Sequence, residues 1–260
     1  MRSLDMRENT VKRKIAEGGV SLGTMVFEFP TTGIGRIVAE AGAEFVVYDM
    51  EHTGWGIETI RGLIATTRAA DMIPMVRVPA TQYHLLSGPL DVGAMGVMVP
   101  MVETGEQAAL IARSAKYPPD GARGCAFGIA HDDYTGGDVM AKMVSANAEG
   151  LLIAQIETVK GLQHVEEIAA TPGIDVLWIG HFDLTASMGI PAQFEHPDYL
   201  AAVQRVLDAC EKHGKTPGIM AGDVETGKKL LAQGFRIMAY SGDLWILGQA
   251  LRQGLAELRG

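Results

Sequence analysis

Seven polar side chains stand at or just after the ends of short apolar runs in this 260-residue sequence. They are Asp49, Glu51 and His52 after the second run, Arg77 in the third, Gln155 and Glu157 in the fifth, and Asp183 after the sixth. Short apolar runs are typical of parallel strands that are buried on both faces. A polar residue at the carboxyl end of such a strand is placed to do chemistry.

Glu157 and Asp183 would offer oxygen ligands from neighbouring strand ends. Such ligands suit Mg²⁺, Mn²⁺ or a similar ion, and two carboxylates leave open positions that a 2-oxo acid could complete with its carboxylate and keto oxygens. The ion would act as a Lewis acid and stabilise the enolate that forms when the adjacent carbon–carbon bond breaks. The other interpretation is that each acid only caps the helix that follows it.

Arg77 and His52 suggest two further roles. A charge at the end of the apolar run IPMVRV needs a carboxylate, a phosphate or a substrate oxygen opposite it, so Arg77 either forms a structural salt bridge or stabilises a developing enolate. His52 follows two acids in YDMEH, and an imidazole beside a carboxylate is a common general base. His181, two residues before Asp183, could also enter the pocket.

Several other chemistries lack their motifs. The sequence contains no GxSxG, Walker-type or GxGxxG pattern, and no lysine stands near a strand end. A Schiff-base mechanism needs such a lysine. The pattern therefore favours a route through a metal and an enolate over a route through an imine.

Eight apolar, β-branched runs alternate with segments of helical period and would position these residues. The runs cover 20–26, 44–50, 73–78, 96–102, 151–157, 175–180, 216–221 and 236–241. Eight alternations favour a closed barrel over an open sheet, which would usually have fewer strands and would leave edges to protect. We predict an α/β fold, a (β/α)8 TIM barrel, with residues 1–260 forming one domain.

Three segments stand out between the strands. Thr104 and Gln107 have the spacing of a capping box ahead of a helix. Residues 117–133 are rich in Pro and Gly and predict a long functional loop, followed by a helix near 137–148. The last helix carries a stripe of Leu247, Leu251, Leu255 and Leu258, which needs a partner surface.

Charge and composition narrow the range of partners. The net charge of −9 disfavours nucleic acid, and no window reaches the length of a membrane span. The N-terminal 19 residues lack the apolar stretch of a signal peptide, which favours the cytoplasm. Cys125 and Cys210 have apolar neighbours and are predicted to be buried thiols.

The chain closely resembles the HpcH/HpaI aldolases, the metal-dependent class II pyruvate aldolases that cleave 4-hydroxy-2-oxo acids. The resemblance runs from LGTMV near residue 22 to the final helix. Its motifs are YDMEH (48–52), MVRVP (75–79), LDVGAMGVMVPMVET (90–104), KYPPDGARG (116–124), AQIET (154–158) and GHFDLTASMG (180–189). The implied activity is reversible cleavage of such an acid to pyruvate, or a related 2-oxo acid, and an aldehyde.

The resemblance also implies a role for each site residue. His52 would be the base, Arg77 the residue that stabilises the enolate, and Gln155 a substrate ligand. Glu157 and Asp183 would hold a divalent metal, Mg²⁺, Mn²⁺ or Co²⁺. Asp91 would make the histidine more basic, and Asp49 would be a second acid beside that histidine. The resemblance also implies a homohexamer in which the C-terminal helix is exchanged between subunits and Asp91 comes from a neighbouring subunit.

The sequence departs from the family pattern near the metal ligands. Met50 stands where many members have glycine, and His181 with Phe182 replaces a smaller pair, although backbone amides near Phe182 could still bind the substrate carboxylate. Two other interpretations stay open. One is a lyase acting on an acyl-CoA, like the citrate lyase β-subunit, and the other is a non-catalytic barrel that binds oxo acids.

Overall fold

Eight parallel strands close into a barrel in the computed structural model, which describes residues 6–260. The strands follow one another around the barrel in chain order. They are β1 Ser21–Val26, β2 Phe45–Asp49, β3 Ile73–Arg77, β4 Gly96–Val99, β5 Leu151–Ile156, β6 Val176–Ile179, β7 Thr216–Ala221 and β8 Ile237–Gly242. The predicted TIM barrel is confirmed, and the open sheet is excluded.

Helices follow the strands and cover most of the barrel. The helices are α1 Thr10–Ala16, α2 Ile34–Glu40, α3 Ile57–Ala69, α4 Tyr83–Asp91, α5 Gly105–Ala115, α6 Val139–Glu149, α7 Val159–Gln163, α8 Val165–Ala170, α9 His181–Ser187, α10 Pro197–His213, α11 Val224–Gln233 and α12 Asp243–Arg259. No helix within residues 6–260 has both the length and the apolar character needed to cross a membrane.

Alternate residues of each strand point into the barrel and form an interior core separate from the layer under the helices. Phe45 and Val47 of β2, Met75 of β3, Ile153 of β5 and Trp178 of β6 belong to this interior core. Because side chains alternate along a strand, the next residue of the same parity at each carboxyl end also faces inward. That row carries the polar groups of the site.

The amino-terminal end of the barrel is closed by α1. Its Val11 and Ile15 join the interior core. Asn9 accepts a hydrogen bond from the Lys12 amide, and its own side chain donates to the Met95 carbonyl at 2.9 Å. The first five residues of the N-terminal segment, where the sequence predicts no signal peptide, lie outside the described residues.

The predicted elements match the structure, with differences at their ends. β4 ends at Val99, three residues early, because Met101 adopts the left-handed conformation with φ 54°. Thr104 caps α5 as predicted, accepting from the Gln107 amide at 3.1 Å, but the Gln107 side chain accepts from Glu103 instead of closing the box. The loop 117–133 contains only a 3₁₀ turn at Ala130–Asp132.

One burial prediction was wrong. Cys210 lies on the buried face of α10 as expected, whereas Cys125 is exposed. The apolar neighbours of Cys125 in sequence lie on the long loop after α5, and a loop residue next to apolar residues need not be covered by them.

Candidate active site

Polar residues at the carboxyl ends of the strands surround a pocket of about 460 Å³ at the mouth of the barrel. Its wall includes His52, Arg77, Gln155 and Asp183 among the residues singled out in the sequence. Only 2% of the surface of Glu157 and 3% of that of Gln155 is exposed to solvent. Polar groups shielded from water in this way need hydrogen-bond partners or a bound ligand. The structure brings most of the predicted site together.

The Glu157 carboxylate is held by two donors. The amide of Met101 donates to its Oε1 at 2.6 Å, and Nε2 of Gln155 donates to its Oε2. The positive φ of Met101 turns this amide toward the carboxylate, and a non-glycine residue in that conformation is typical of functional sites. Gln155 is therefore positioned through Glu157, and its Oε1 is buried without a hydrogen-bond partner among residues 6–260.

Gly180 leaves the space that the Glu157 side chain occupies. A Cβ at this position would lie within 3.0 Å of Oε2 of Glu157 and of Nε2 of Gln155. Glycine is therefore required at the end of β6 by close approach, since its φ of −85° is open to any residue.

Three carboxylates interact beside the pocket, those of Glu157, Glu51 and Asp183. Burial raises the pKa of Glu157 to about 7, the Met101 amide opposes the rise, and the charges of Glu51 and Asp183 add to it. The pKa of Glu51 is also raised, chiefly by burial. Because three carboxylates repel one another in a partly dry pocket, a cation among them would relieve the repulsion.

These residues fit a divalent metal ion. The donor set consists of hard oxygens, Gln155 Oε1 and Glu51 Oε2 are buried without hydrogen-bond partners in the described chain, and the charges repel. Within residues 6–260, no three His, Cys, Asp or Glu side chains form a ready metal cluster. The protein would therefore contribute a small set centred on Glu157 and Asp183, leaving positions for water and substrate.

Arg77 and Asp49 form a buried ion pair at the ends of β3 and β2. Nε of Arg77 lies 2.5 Å from Oδ1 of Asp49 and 3.3 Å from Oε2 of Glu51. The structural salt bridge, one of the two roles that the sequence allowed for Arg77, is therefore present. Arg77 also lines the pocket, so the pairing holds the guanidinium at the site without removing it from substrate.

His52 lies at the pocket mouth, with its side chain 56% exposed and its Nε2 3.7 Å from Glu51 Oε2. Asp49 lies beside it as expected, but the Asp49 carboxylate accepts from the backbone amide of His52 at 2.9 Å. The acid next to the imidazole is Glu51, a residue that the sequence places in the group but to which it assigns no role.

Asp91 is not brought to His52 within one chain. It forms an ion pair with Arg123 at 2.6 Å, and Arg123 stacks over Tyr117. This arrangement places Asp91 beside the long loop after α5. A single chain therefore lacks the expected acid at His52, and the resemblance implies that it comes from a second subunit.

The two bulky residues before Asp183 form one wall of the pocket. Phe182 is 57% exposed and packs edge to face with Phe194, and His181 packs against both rings. Burial lowers the pKa of His181. Phe182 thus presents an apolar face to whatever occupies the pocket.

Asp243 is a structural residue that the sequence reasoning missed. Its carboxylate accepts from the backbone amides of Phe27, Glu28 and Phe29 at 2.8–3.0 Å, which fixes the loop after β1. Phe27 then packs against Trp245 and lies 5.7 Å from the guanidinium carbon of Arg77. The signal for it was an acid two residues after the end of the last apolar run.

The chain is similar to known aldolases over most of its length. It is 37% identical over 226 residues to a hydroxypyruvate/pyruvate aldolase of Paraburkholderia phytofirmans, covering 85% of this chain and 87% of the relative. It is 31% identical over 218 residues to a 5-keto-4-deoxy-D-glucarate aldolase of Klebsiella pneumoniae, covering 84% of each.

A solved structure and a family model agree with these relatives. The crystal structure of an HpcH/HpaI aldolase from Desulfitobacterium hafniense superposes with a TM-score of 0.91 at 29% identity, covering 95% of this chain and 96% of that one. The model of the family described as HpcH/HpaI aldolase/citrate lyase matches residues 31–249. The resemblance seen in the motifs is confirmed, and with it the prediction of an enzyme: the chain belongs to the HpcH/HpaI aldolase/citrate lyase family.

Proposed function

We propose that this chain is a metal-dependent aldolase that reversibly cleaves a 4-hydroxy-2-oxo acid to pyruvate, or a related 2-oxo acid, and an aldehyde. The observation that carries the proposal is the convergence of Asp183, Gln155, Arg77 and His52 on one pocket of a chain from this family, with the buried Glu157 carboxylate hydrogen-bonded to Gln155 behind it. Its volume is within the range of small-molecule sites.

The metal would be held by Glu157 and Asp183, with Mg²⁺, Mn²⁺ and Co²⁺ as the candidates. When bound, it would supply Lewis-acid chemistry, drawing electrons from the oxygens of the 2-oxo acid. Gln155 would orient the acid through its amide, and the Met101 amide would keep the Glu157 carboxylate in place. Phe182 would cover one side of the bound acid.

Cleavage would proceed through a proton transfer and one bond break. His52 would take the proton of the C4 hydroxyl, the C3–C4 bond would break, and its electron pair would move toward the C2 oxygen as the aldehyde forms. Arg77 would stabilise the negative charge that develops on that oxygen. A proton added at C3 would then give the 2-oxo acid and restore the balance of atoms and charge.

The roles of Glu157 and Asp183 can be tested by binding alone. Titration of Mn²⁺ by calorimetry should show one site in the wild type and strongly weakened binding in Glu157→Ala and in Asp183→Ala, with folding checked by circular dichroism. Unchanged binding in either variant would remove that residue from the ligand set. Turnover of pyruvate with a panel of aldehydes, with and without the ion, tests the activity and separates it from a barrel that only binds oxo acids.

The acyl-CoA alternative gains no support from the pocket. A nucleotide needs a cationic surface. Two arginines line this pocket within the described chain, and one of them, Arg77, is paired with two acids, so Arg252 alone does not form such a surface. Location in the cytoplasm, a single domain over 1–260 and the absence of a nucleic-acid partner stay predictions from the sequence.

We also propose that the chain assembles with copies of itself through α12. The outward side chains Leu22 of β1 and Tyr240 of β8 are 44% and 38% exposed, because α12 does not cover them. They line an apolar groove of about 760 Å³ beside α2. The leucine stripe of α12 is also exposed, so an exchanged α12 from a second copy would bury both surfaces. The hexamer follows from the resemblance.

A further inference from the structure

A second cavity lies at the amino-terminal end of the barrel, away from the mouth. Met95, directly before β4, and Gly150, directly before β5, line it together with residues of α6 and of the long loop after α5. Its volume is about 40 Å³. One water molecule needs about 10–15 Å³ of such space, so the cavity can hold a group of roughly three non-hydrogen atoms.

Cationic side chains dominate the wall of this cavity. They are Arg7, Arg68, Lys116 and Arg123. Glu149 is the one acid in the wall among residues 6–260. Its carboxylate accepts from the Asn9 amide at 2.5 Å and from Arg13 at 2.6 Å, so its oxygens already have partners outside the cavity.

The arginines of the wall pair with acids that do not line the cavity. The pairs are Arg7–Asp71, Arg68–Asp133 and Arg123–Asp91. The Lys116 ammonium pairs with no acid in the described part of the chain. Burial lowers the pKa of Arg7, and the charge of Arg68 lowers it further, because the two cations repel each other. An anion between the cations would relieve this repulsion.

Buried polar atoms in the wall also lack hydrogen-bond partners. His131 is 6% exposed; its Nε2 lies 2.7 Å from the Ala126 carbonyl, but its Nδ1 has no partner within residues 6–260. Nη2 of Arg68 is likewise buried without a hydrogen bond, although it lies 2.9 Å from Asp133. Buried polar groups are rarely left unpaired, so both atoms indicate a ligand in the cavity.

We infer that this cavity binds a small oxyanion, either inorganic phosphate or the carboxylate of a small acid. Lys116 and Arg68 would donate to its oxygens. The anion would favour the protonated imidazole of His131, in which both ring nitrogens donate. The bound ion would join the ends of α3 and α5 to the long loop after α5. The inference is independent of the proposed function, because the cavity lies away from the mouth.

Thermal unfolding of the full chain in the presence of Mg²⁺ tests the site. An ion that binds only the folded protein raises Tm in a saturable way. Sodium phosphate and sodium acetate are each compared with sodium chloride at equal ionic strength. With a Kd of about 1 mM, the bound anion at about 20 mM should raise Tm by about 3–6 °C. Lys116→Met should weaken the apparent Kd at least about tenfold and remove more than half of the shift.

Lys228→Met is the matched control, because it removes the same charge from an exposed position of α11 outside the cavity, and it should keep the wild-type shift. Lys116→Arg should also keep a shift, since a cation remains. A Lys116-dependent shift with phosphate identifies phosphate as the ligand, and one with acetate identifies the carboxylate. The absence of any shift in the wild type, or equal shifts in wild type and Lys116→Met, would overturn the inference, because any stabilisation would then be a general salt effect.

Discussion

Nε of Arg77 donates to Oδ1 of Asp49 at 2.5 Å, and the two residues are direct neighbours in the register of β2 and β3. Both side chains are nearly inaccessible to solvent. The pair therefore links two strand ends and holds the positive charge of Arg77 at the pocket.

Asp49→Asn should destabilise the fold by about 3 kcal/mol, near the lower end of the range for breaking a buried pair, because Glu51 still faces Arg77. Denaturant unfolding measures the free-energy change. Asp183→Asn is the control, since it removes an exposed acid of the same mouth and should leave stability within about 0.5 kcal/mol. Equal stability of Asp49→Asn and wild type would show that the pair contributes nothing to folding.

Gly180→Ala should weaken Mn²⁺ binding at least about tenfold, because the added methyl group would displace the Glu157 carboxylate and the Gln155 amide. Gly222→Ala is the matched control: Gly222 lines the same pocket, and a Cβ there meets no atom within 4 Å. Calorimetry measures the Mn²⁺ affinity of both variants. A wild-type affinity in Gly180→Ala would show that the added methyl group does not displace the Glu157 carboxylate from a metal-binding position.

His52→Ala should lower aldol turnover by roughly 10²- to 10⁴-fold while Mn²⁺ affinity stays unchanged, since His52 would act on the C4 hydroxyl proton. Arg77→Ala should additionally suppress the exchange of pyruvate methyl protons with solvent, because that exchange also builds charge on the C2 oxygen. NMR follows the exchange in both variants. Full turnover in His52→Ala across neutral pH would remove His52 as the base.

The proposed assembly should depend on the leucine stripe. Leu251→Asp should shift the mass seen by light scattering from an oligomer to a smaller species, because it places a charge in an apolar interface. Ala201→Asp, on an exposed position of α10, should keep the wild-type mass. A monomeric wild type at micromolar concentration would contradict the proposal directly.

The long loop after α5 should be acid-sensitive. Nζ of Lys142 donates to Asp132 at 2.6 Å in a buried pair. Burial raises the pKa of Asp132, but hydrogen bonds from Lys142 and the Gly128 amide outweigh it, so the pKa lies below the ordinary 3.8. A carboxyl group whose pKa is lower in the folded state than in the unfolded state stabilises the fold at pH values above its unfolded-state pKa. This stabilisation is lost as the pH falls through the folded-state pKa.

Lys142→Met should therefore cost stability at pH 7, by up to about 3–5 kcal/mol, and the difference from wild type should shrink near pH 3. Urea unfolding at the two pH values measures it. Lys228→Met, on the exposed surface of α11, provides the comparison and should behave like wild type at both. A difference that is constant with pH would exclude titration of Asp132 as its cause.

Because side chains alternate along a strand, part of the candidate site could be predicted from the sequence. Asp49, Arg77, Gln155 and Glu157 have the same parity as the apolar residues that fill the barrel, so a strand prediction already directs them inward at the carboxyl ends. Local periodicity carries this information, because a strand has only two faces. The eight runs likewise specified the barrel.

Tertiary structure alone decided which of these groups touch. The Met101 amide reaches Glu157 across 56 residues, and the Asp243 carboxylate reaches the loop after β1 across more than 200. Asp91 forms an ion pair with Arg123, and Glu51 is the acid that lies beside His52. Such contacts depend on strand order, loop paths and positive-φ turns, which bring distant residues together. No pattern of neighbouring residues encodes them, so the sequence indicated candidate residues for the site and the folded barrel determined which of them meet and what each one contacts.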